Sequence, residues 1–377
     1  MPIKCIVMAS IIFLWTASVC GQPCKLIVRV IAPPSTPSDA LLQLVGNQAA
    51  LGDWFFPDAP KMERSNDSVW TYTGSFSKST FLSFKVIRGS YYNEALFGGS
   101  TDFPPNLSFY IRADTTVVLH PYSWNDVLNN SVTGTVNYYH NFDCPLLRFS
   151  RNVTVWLPPS YASSPGKRYP VLYAQDGQNL FDASFSFGGH EWHMDEIADS
   201  LIRAGATDEF IIVGIDNTHD RWQEYSGTEV GRKYLDFIVH RLKPFVDSVY
   251  RTRADRENTA MLGSSMGGLI SFYMLWLHPD VFSKAACLSG GFAYDPGDIV
   301  DSAGRSTARL AGTRIYLDCG DRDLDLHFLP DNRKMAGYLS RDARLKAVFK
   351  IFPGATHNEQ AWAGRIWEPL VFLFGAK

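Results

Sequence analysis

The stretch Thr259-Ala260-Met261-Leu262-Gly263-Ser264-Ser265-Met266-Gly267-Gly268 constrains this chain more than any other. An apolar run ends in Gly-x-Ser-x-Gly, and a helix-like segment, Leu269 to Leu277, follows without a break. A strand must turn sharply into a helix with a serine on the turn. That requires small residues on both sides, so that the two elements can approach. Gly263 and Gly267 meet the need around Ser265, which makes Ser265, not Ser264, the candidate nucleophile. No Lys-Ser/Thr pair follows, so the stretch is not a phosphate loop.

The surrounding text fixes the fold class. Thr135 to His140 and Arg151 to Leu157 open as strands, and Tyr169 to Gln175 is a buried strand leading to Asp176-Gly177-Gln178. Glu191 to Arg203 has the period of an amphipathic helix, and Glu209 to Ile215 is a further strand ending at Asp216-Asn217. Tyr234 to Val249 repeats Phe237, Ile238, Leu242, Phe245, Val246 and Val249 at helical spacing. Ala285 to Ser289, Arg314 to Cys319 and Leu345 to Phe352 are strands, and Trp362 to Phe374 closes the chain as a helix. Repeated β–α alternation gives a mostly parallel sheet with helices on both faces. This is an α/β-hydrolase pattern.

A serine at its ordinary pKa needs a base, and the base needs an orienting acid. In such folds they follow the serine in the order acid, histidine, at the ends of later strands. His357 stands in Phe352-Pro353-Gly354-Ala355-Thr356-His357-Asn358, just after the last strand, where the base belongs. His327 reads as a solvated residue at a helix start, and His278 as a residue suited to the end of the elbow helix. Leu317-Asp318-Cys319-Gly320-Asp321-Arg322-Asp323-Leu324-Asp325 offers four carboxylates at one strand end. Asp318 lies within the strand. Asp323 is the favoured acid, because the chain has by then cleared the strand; Asp321 is second and Asp325 third. The oxyanion requires two N–H donors, expected from Met266, after the nucleophile, and from Gln178, in the loop after the earlier strand.

From Lys25 to about Trp124 the text is all-β. Leu26 to Ala32, Leu41 to Val45, Ser68 to Phe76, Phe81 to Ile87 and Thr115 to Leu119 are strand-like, with Pro33-Pro34, Gly46-Asn47, Gly98-Gly99 and Pro104-Pro105 as punctuation. A small β-sandwich is expected over residues 22–125, and an α/β domain over 126–377. The polar segment Ser123 to Thr133 reads as the linker. Before it, Met1-Pro2-Ile3-Lys4 and the apolar run Cys5 to Val19 read as a secretory signal peptide over residues 1–21. The run is too short to span a bilayer comfortably. Cys20 raises a lipoprotein alternative, which Ala17-Ser18-Val19 fits poorly. A secreted or periplasmic protein is expected.

Two resemblances follow from these motifs. Leu44-Val45-Gly46-Asn47, Leu51-Gly52-Asp53-Trp54 and Phe84-Lys85-Val86-Ile87-Arg88-Gly89 resemble the landmarks of starch-binding carbohydrate-binding modules. The resemblance implies that Trp54 stacks on a sugar ring and Lys85 bonds its hydroxyls. Tyr91-Tyr92 stand where the family has a second stacking tryptophan, which gives Tyr92 as a further contact. From about Thr135 onward, Tyr173 to Asp182, Val213 to Asn217, Arg221, Glu224-Tyr225, Gly263 to Gly268 and Leu317 to Gly320 together resemble the Putative esterase family. That family includes feruloyl and enterochelin esterases, S-formylglutathione hydrolases and, more distantly, mycolyltransferases. The resemblance implies a triad of Ser265, Asp323 and His357, with Gln178 and Met266 as oxyanion donors. Arg221, Glu224 and Tyr225 form either a pocket-lining loop or an Arg–Glu pair that fixes it.

The bulk numbers bound the partners. With 377 residues, 46% hydrophobic and a formal net charge of -3, the chain can bury a large core, and it carries no basic block for nucleic acid. His190-Glu191-Trp192-His193 has its histidines three apart, one short of a zincin, so no metal and no cofactor is expected. Cys287 and Cys319 read as buried thiols, and Cys24 and Cys144 are the pair available for a disulfide. The expected activity is hydrolysis of a carboxylic ester, of acetyl or feruloyl type, on a carbohydrate. The alternatives are a siderophore esterase or acyltransferase with the same triad, and a carbohydrate-binding protein with an idle hydrolase domain.

Overall fold

The structure is a computed structural model that describes residues 23–34, 36–89, 93–97, 106–124, 132–183 and 186–375. The expected signal segment, residues 1–21, and Tyr92 lie outside the described residues. The described residues divide between two compact units: Met1–Gly89 with Pro105–Tyr122, and Ser90–Pro104 with Ser123–Lys377. The division is not the single cut read from sequence. Ala95–Leu96, from the first segment, pair with Ser123–Trp124 in the second unit, at the start of the expected linker.

In the first unit, strands β1 (Cys24–Ile31), β2 (Gln43–Gly46), β3 (Glu63–Arg64), β4 (Val69–Phe76), β5 (Thr80–Ile87), β6 (Leu107–Ile111) and β7 (Thr115–Leu119) form two sheets, ordered β3-β4-β1-β7 and β2-β5-β6. The alternation in β1 buries Cys24, Leu26, Val28 and Val30 and leaves Lys25, Arg29 and Ile31 exposed, as a half-buried strand requires. Leu44, Phe84 and Val86 bury the opposing sheet. Sequence reading missed β6, because it follows directly on Pro104-Pro105.

The second unit holds an eight-stranded sheet: β8 (Thr135–Phe142), β9 (Arg151–Leu157), β10 (Val171–Gln175), β11 (Ile211–Ile215), β12 (Thr259–Ser264), β13 (Lys284–Leu288), β14 (Arg314–Gly320) and β15 (Lys346–Phe352), in the order β8-β9-β11-β10-β12-β13-β14-β15. The pairings β8/β9 and β9/β11 are antiparallel, and the others are parallel. β10 to β13 read as nearly unbroken apolar runs because both faces are covered. One core lies against Val171, Tyr173, Val213 and Met261, and the other against Leu172, Ala174, Ile212 and Leu262, the alternate residues of the same strands.

The helices are α1 (Met194–Arg203), α2 (Arg221–Glu224), α3 (Glu229–Phe237), α4 (Lys243–Val249), α5 (Met266–Leu277), α6 (Ile299–Arg305), α7 (Asp325–Leu339), α8 (Glu359–Ala363) and α9 (Trp367–Phe374). Three depart from expectation. α1 starts at Met194, because His193 before it has φ +53°. The expected helix from Tyr234 to Val249 is interrupted by a π-helical segment, Ile238–Leu242. Pro244, in the first turn of α4, explains the break, since its ring excludes the carbonyl four residues back from ordinary helical bonding. The closing helix is two, α8 and α9, parted at Gly364.

The described cysteines are all free and buried, and the Cys144 sulfur accepts the Arg151 Nε–H at 3.4 Å. Arg151 also donates to Glu224 at 2.8 and 3.2 Å and lies over the rings of Tyr234 and Phe237. Both charges are buried, so losing one partner strands the other in low dielectric. Arg151→Met is therefore expected to cost about 3–5 kcal/mol, and Arg151→Met combined with Glu224→Leu to recover much of it. Urea denaturation measures both, and a single-variant loss below about 1 kcal/mol would show the pair to be dispensable.

Candidate active site

Ser265 sits between β12 and α5 with φ +55° and ψ −125°, a backbone that side-chain-bearing residues rarely adopt. A Cβ on Gly263 would stand 2.5 Å from the backbone of Gly267, so the strand can pass this close to the helix only as glycine. The turn is tied down on both sides. The Ser265 N–H donates to Leu288 O at 2.9 Å, and its carbonyl accepts the Gly291 N–H at 2.8 Å. Ser265 is partly exposed among buried neighbours. Met266 takes the first helical position, where the N–H has no intrahelical acceptor and the helix dipole favours negative charge.

The loop after β10 comes alongside. Asp176 has φ +54°, and Gly177 packs so tightly that a Cβ would stand 2.5 Å from the Gly214–Ile215 backbone. Arg221 donates to both Asp176 oxygens, at 2.7 and 2.8 Å, and Asn217 adds a third bond at 2.7 Å. The Gln178 side chain accepts the Asn217 N–H at 3.2 Å, so it fixes the loop that carries its backbone N–H. Arg221 thus holds Asp176, while Glu224 pairs with Arg151; an Arg221–Glu224 pair does not form. Asn179 links this loop to Glu359 at 3.5 Å, and burial raises the Glu359 carboxyl to about 7.

His357 emerges from the turn after β15, and its Nδ1 lies 2.6 Å from Asp325 Oδ1. The acid beside the histidine is therefore Asp325, and the expectation of Asp323 is corrected. Asp323 has φ +50° and is exposed on the turn before α7. Two residues later the chain enters α7, whose first residue, Asp325, is fully buried and points back at the strand end. Gly320 makes this possible, since a Cβ there would stand 2.5 Å from Asp325 Oδ2. Asp321 instead accepts the Gly354 N–H at 2.7 Å and props the histidine loop. Burial alone would raise the Asp325 carboxyl, but bonds to His357, Ser289 and the Gly320 N–H hold it below the usual carboxylate range. Phe328 and Trp362 stand edge-on to the His357 ring, with centroids at 4.7 and 4.9 Å.

A line of rings missed in the sequence runs outward from His357. Phe328 packs on Tyr294 at 5.2 Å, and Tyr294 on Trp222 at 5.7 Å. Tyr294 and Trp222 are 43% and 54% exposed, so the line ends in solvent. Each ring follows the carboxyl end of a different strand by six to eight residues, a spacing that could have signalled a shared rim. His190 meets Gln360, and His193 Nδ1 lies 3.6 and 3.8 Å from Glu191 and Glu196 carboxylate oxygens at the start of α1. These atoms are close enough together to be counted as a possible donor group for an ion. In the first unit, Trp54 has φ +62°, is half-buried, and donates its backbone N–H to Gly46 O at 2.8 Å. Gly46 pairs with Phe84, next to half-buried Lys85, so both residues stand along the β2–β5 pair.

A serine elbow, a neighbouring loop braced by the Asp176–Arg221 pair and a histidine–aspartate pair, all at the carboxyl ends of one mostly parallel sheet, define an α/β-hydrolase. The family described as Putative esterase matches residues 146–373. The chain belongs to that family and is an esterase. A second family, described as Starch binding domain, matches residues 24–111. Among relatives, the endo-1,4-beta-xylanase/feruloyl esterase of Xylanibacter ruminicola is 28% identical over 216 residues, 56% of this chain and 28% of that one. The chain thus spans under a third of that relative. A ferulic acid esterase structure covers 64% of this chain and 98% of its own, at 22% identity and TM-score 0.53. The enterobactin esterase of Shigella flexneri, in the presence of enterobactin, covers 93% and 92%, at 15% identity and TM-score 0.55. At these identities the structures share the fold.

The pairing of His357 with Asp325 generates a direct contrast. Asp325→Asn is expected to lower kcat by about 10³–10⁴, through the wrong imidazole tautomer, while Asp323→Ala stays within about twofold of wild type, as exposed substitutions do. Steady-state kinetics on an aryl ester checks both, and the reverse ranking would return the role to Asp323.

Proposed function

We propose that this chain is a secreted serine carboxylic-ester hydrolase that works through an acyl-enzyme on carbohydrate-linked esters, with an aromatic, feruloyl-type acyl group preferred over acetyl. The observation that carries the reading is the 2.6 Å His357–Asp325 contact at the sheet end that also bears Ser265 on its strained turn. With Nδ1 engaged by Asp325, the other ring nitrogen, Nε2, takes the Ser265 proton as Oγ attacks the ester carbonyl. The oxyanion is received by the Met266 and Gln178 N–H groups. His357 then gives its proton to the departing alcohol, and water repeats the sequence to release the acid.

The aromatic preference rests on the rings from Phe328 to Trp222, which give a flat acyl group an apolar wall and leave an acetyl group little to touch. The carbohydrate link rests on the starch-binding match together with the half-exposed Trp54 and Lys85. Export rests on the apolar run from Cys5 to Val19. A siderophore ester is the second reading. The fold shared with an enterobactin esterase over 93% of this chain favours it. The same aromatic line would receive a catechol acyl group.

A panel of ester substrates tests the reading. Methyl ferulate is expected to turn over at least about tenfold better than an acetyl ester, and Trp222→Ala to remove most of that preference. Ser265→Ala should abolish turnover and fluorophosphonate labelling, and near-wild-type activity in that variant would sink the serine mechanism. Rapid cleavage of a catecholate triester, with no feruloyl or acetyl turnover, would move the assignment to the second reading. Retention on starch or a related glucan, measured on the whole protein, should fall about tenfold in Trp54→Ala, since an aromatic stacking contact is worth on the order of 1 kcal/mol. Unchanged retention would dissociate Trp54 from glycan binding.

A further inference from the structure

Behind the His357–Asp325 pair lies a second set of fully buried polar groups that the acyl-transfer steps do not use. Its centre is Ser289, the first residue after β13, with φ +44° and no solvent exposure. Three side chains meet its Oγ: Asp325 Oδ2 at 2.9 Å, Arg365 Nη2 at 2.8 Å and Trp362 Nε1 at 3.2 Å. Arg365 also pairs with Asp318 Oδ1 at 3.1 and 3.2 Å, and the Ser289 N–H reaches the same oxygen at 3.2 Å.

Counting protons fixes the direction of each bond. A guanidinium and an indole N–H can only donate, and a hydroxyl has one proton and two lone pairs. Arg365 and Trp362 therefore fill both lone pairs of Ser289 Oγ, and its single proton is left for Asp325 Oδ2. The Gly320 N–H donates to the same carboxylate oxygen at 2.8 Å. With Oδ2 occupied by two donors, Oδ1 is left to accept from His357.

We propose that Ser289 is a positioning residue for the proposed catalytic pair, its hydroxyl forced by Arg365 and Trp362 to donate to Asp325, so that the carboxylate stays ionised, correctly turned and matched in strength to His357. The inference rests on the reading of His357 as the base. It gives Ser289 a role without contact to substrate. The charged and titratable groups that face Asp325 are His357, the Cys319 thiol, which burial pushes up and keeps neutral, and, across Ser289, the Arg365–Asp318 pair. Burial raises the Asp318 carboxyl to about 6, against the pull of Arg365. Its bond from the Ser289 backbone persists whatever the side chain at 289.

Removing the hydroxyl has a predictable sign. With one donor fewer, the negative charge of Asp325 is less dispersed and pulls harder on the His357 Nδ1–H. The imidazolium is then retained to higher pH, and the acid limb of kcat/KM moves upward. The test uses the full-length enzyme with Ser289→Ala and Ser289→Gly, assayed on an aryl ester across pH 5 to 9. Glycine is the folding-safe variant, because the positive φ is easier for it than for serine or alanine. In both variants kcat is expected to fall about tenfold or more, the scale of a lost bond to a charged group, with KM within about twofold and the acid limb moved up. A glycine variant with wild-type kcat and an unmoved limb overturns the proposal and leaves Ser289 with a structural role. Ser265→Ala, run alongside, separates the two levels: if that variant stays active, the serine mechanism itself has failed, whatever Ser289 does.

Discussion

The site depends on a backbone constraint repeated at four strand ends. Asp176 after β10, Ser265 after β12, Ser289 after β13 and Asp323 after β14 all have φ between 44° and 55°, and none is glycine. A residue in this region costs on the order of 1 kcal/mol or more. The geometric gain is that the chain turns back over the sheet edge at once, while the side chain stays at the rim. Three of the four then take part in a polar contact or hold the candidate nucleophile: Asp176 receives Arg221, Ser265 caps α5, and Ser289 receives Arg365. The strain is held in place by the adjacent glycines, since a Cβ at Gly177, Gly263 or Gly320 would come within 2.6 Å of backbone or carboxylate atoms.

Charge is handled in the same spirit. Asp176–Arg221, Asp318–Arg365 and Arg151–Glu224 are each largely desolvated and each multiply bonded, so the desolvation cost is met by geometry more than by charge alone. Pairs of this kind are weak sources of stability, but breaking them is expensive. Their arrangement near the carboxyl ends of β10, β11 and β14 therefore resists local rearrangement around the Ser265 turn and the loop that follows β10. The apolar faces of the sheet supply the folding energy. The ion pairs restrict how its rim can be arranged.

What was legible in the sequence was local. The turn that carries Ser265 could be read because the constraint on it acts within five residues, and the placement of His357 because it lies in the loop after the last strand. The starch-binding and esterase landmarks could be read because each sits on a strand end or a tight turn. Asp325 stands third in the expected order because clearance of the strand favours Asp323, whereas the outcome depends on where α7 begins. A positive φ at Asp323 sends that carboxylate to solvent, and Gly320 makes room for the later one. The π segment before Pro244 and the ring line from Phe328 to Trp222 depend on packing between elements far apart in sequence, for which a single sequence carries little signal.

The proton inventory of the Asp325 carboxylate ties these levels together. It is fully buried and accepts from His357, from Ser289 and from the Gly320 N–H, so a proton on it would displace one of these donors. Its ionised state is therefore set by the fold and not by bulk pH near neutrality. An ionised Asp325 in turn requires a proton on His357 Nδ1, because two acceptors cannot face each other at 2.6 Å. In neutral imidazole that leaves Nε2 unprotonated, which is the state a base needs. A tautomer that sequence alone could not specify thus follows from a glycine that makes room, a serine with one proton to give, and an arginine and a tryptophan that decide where it goes.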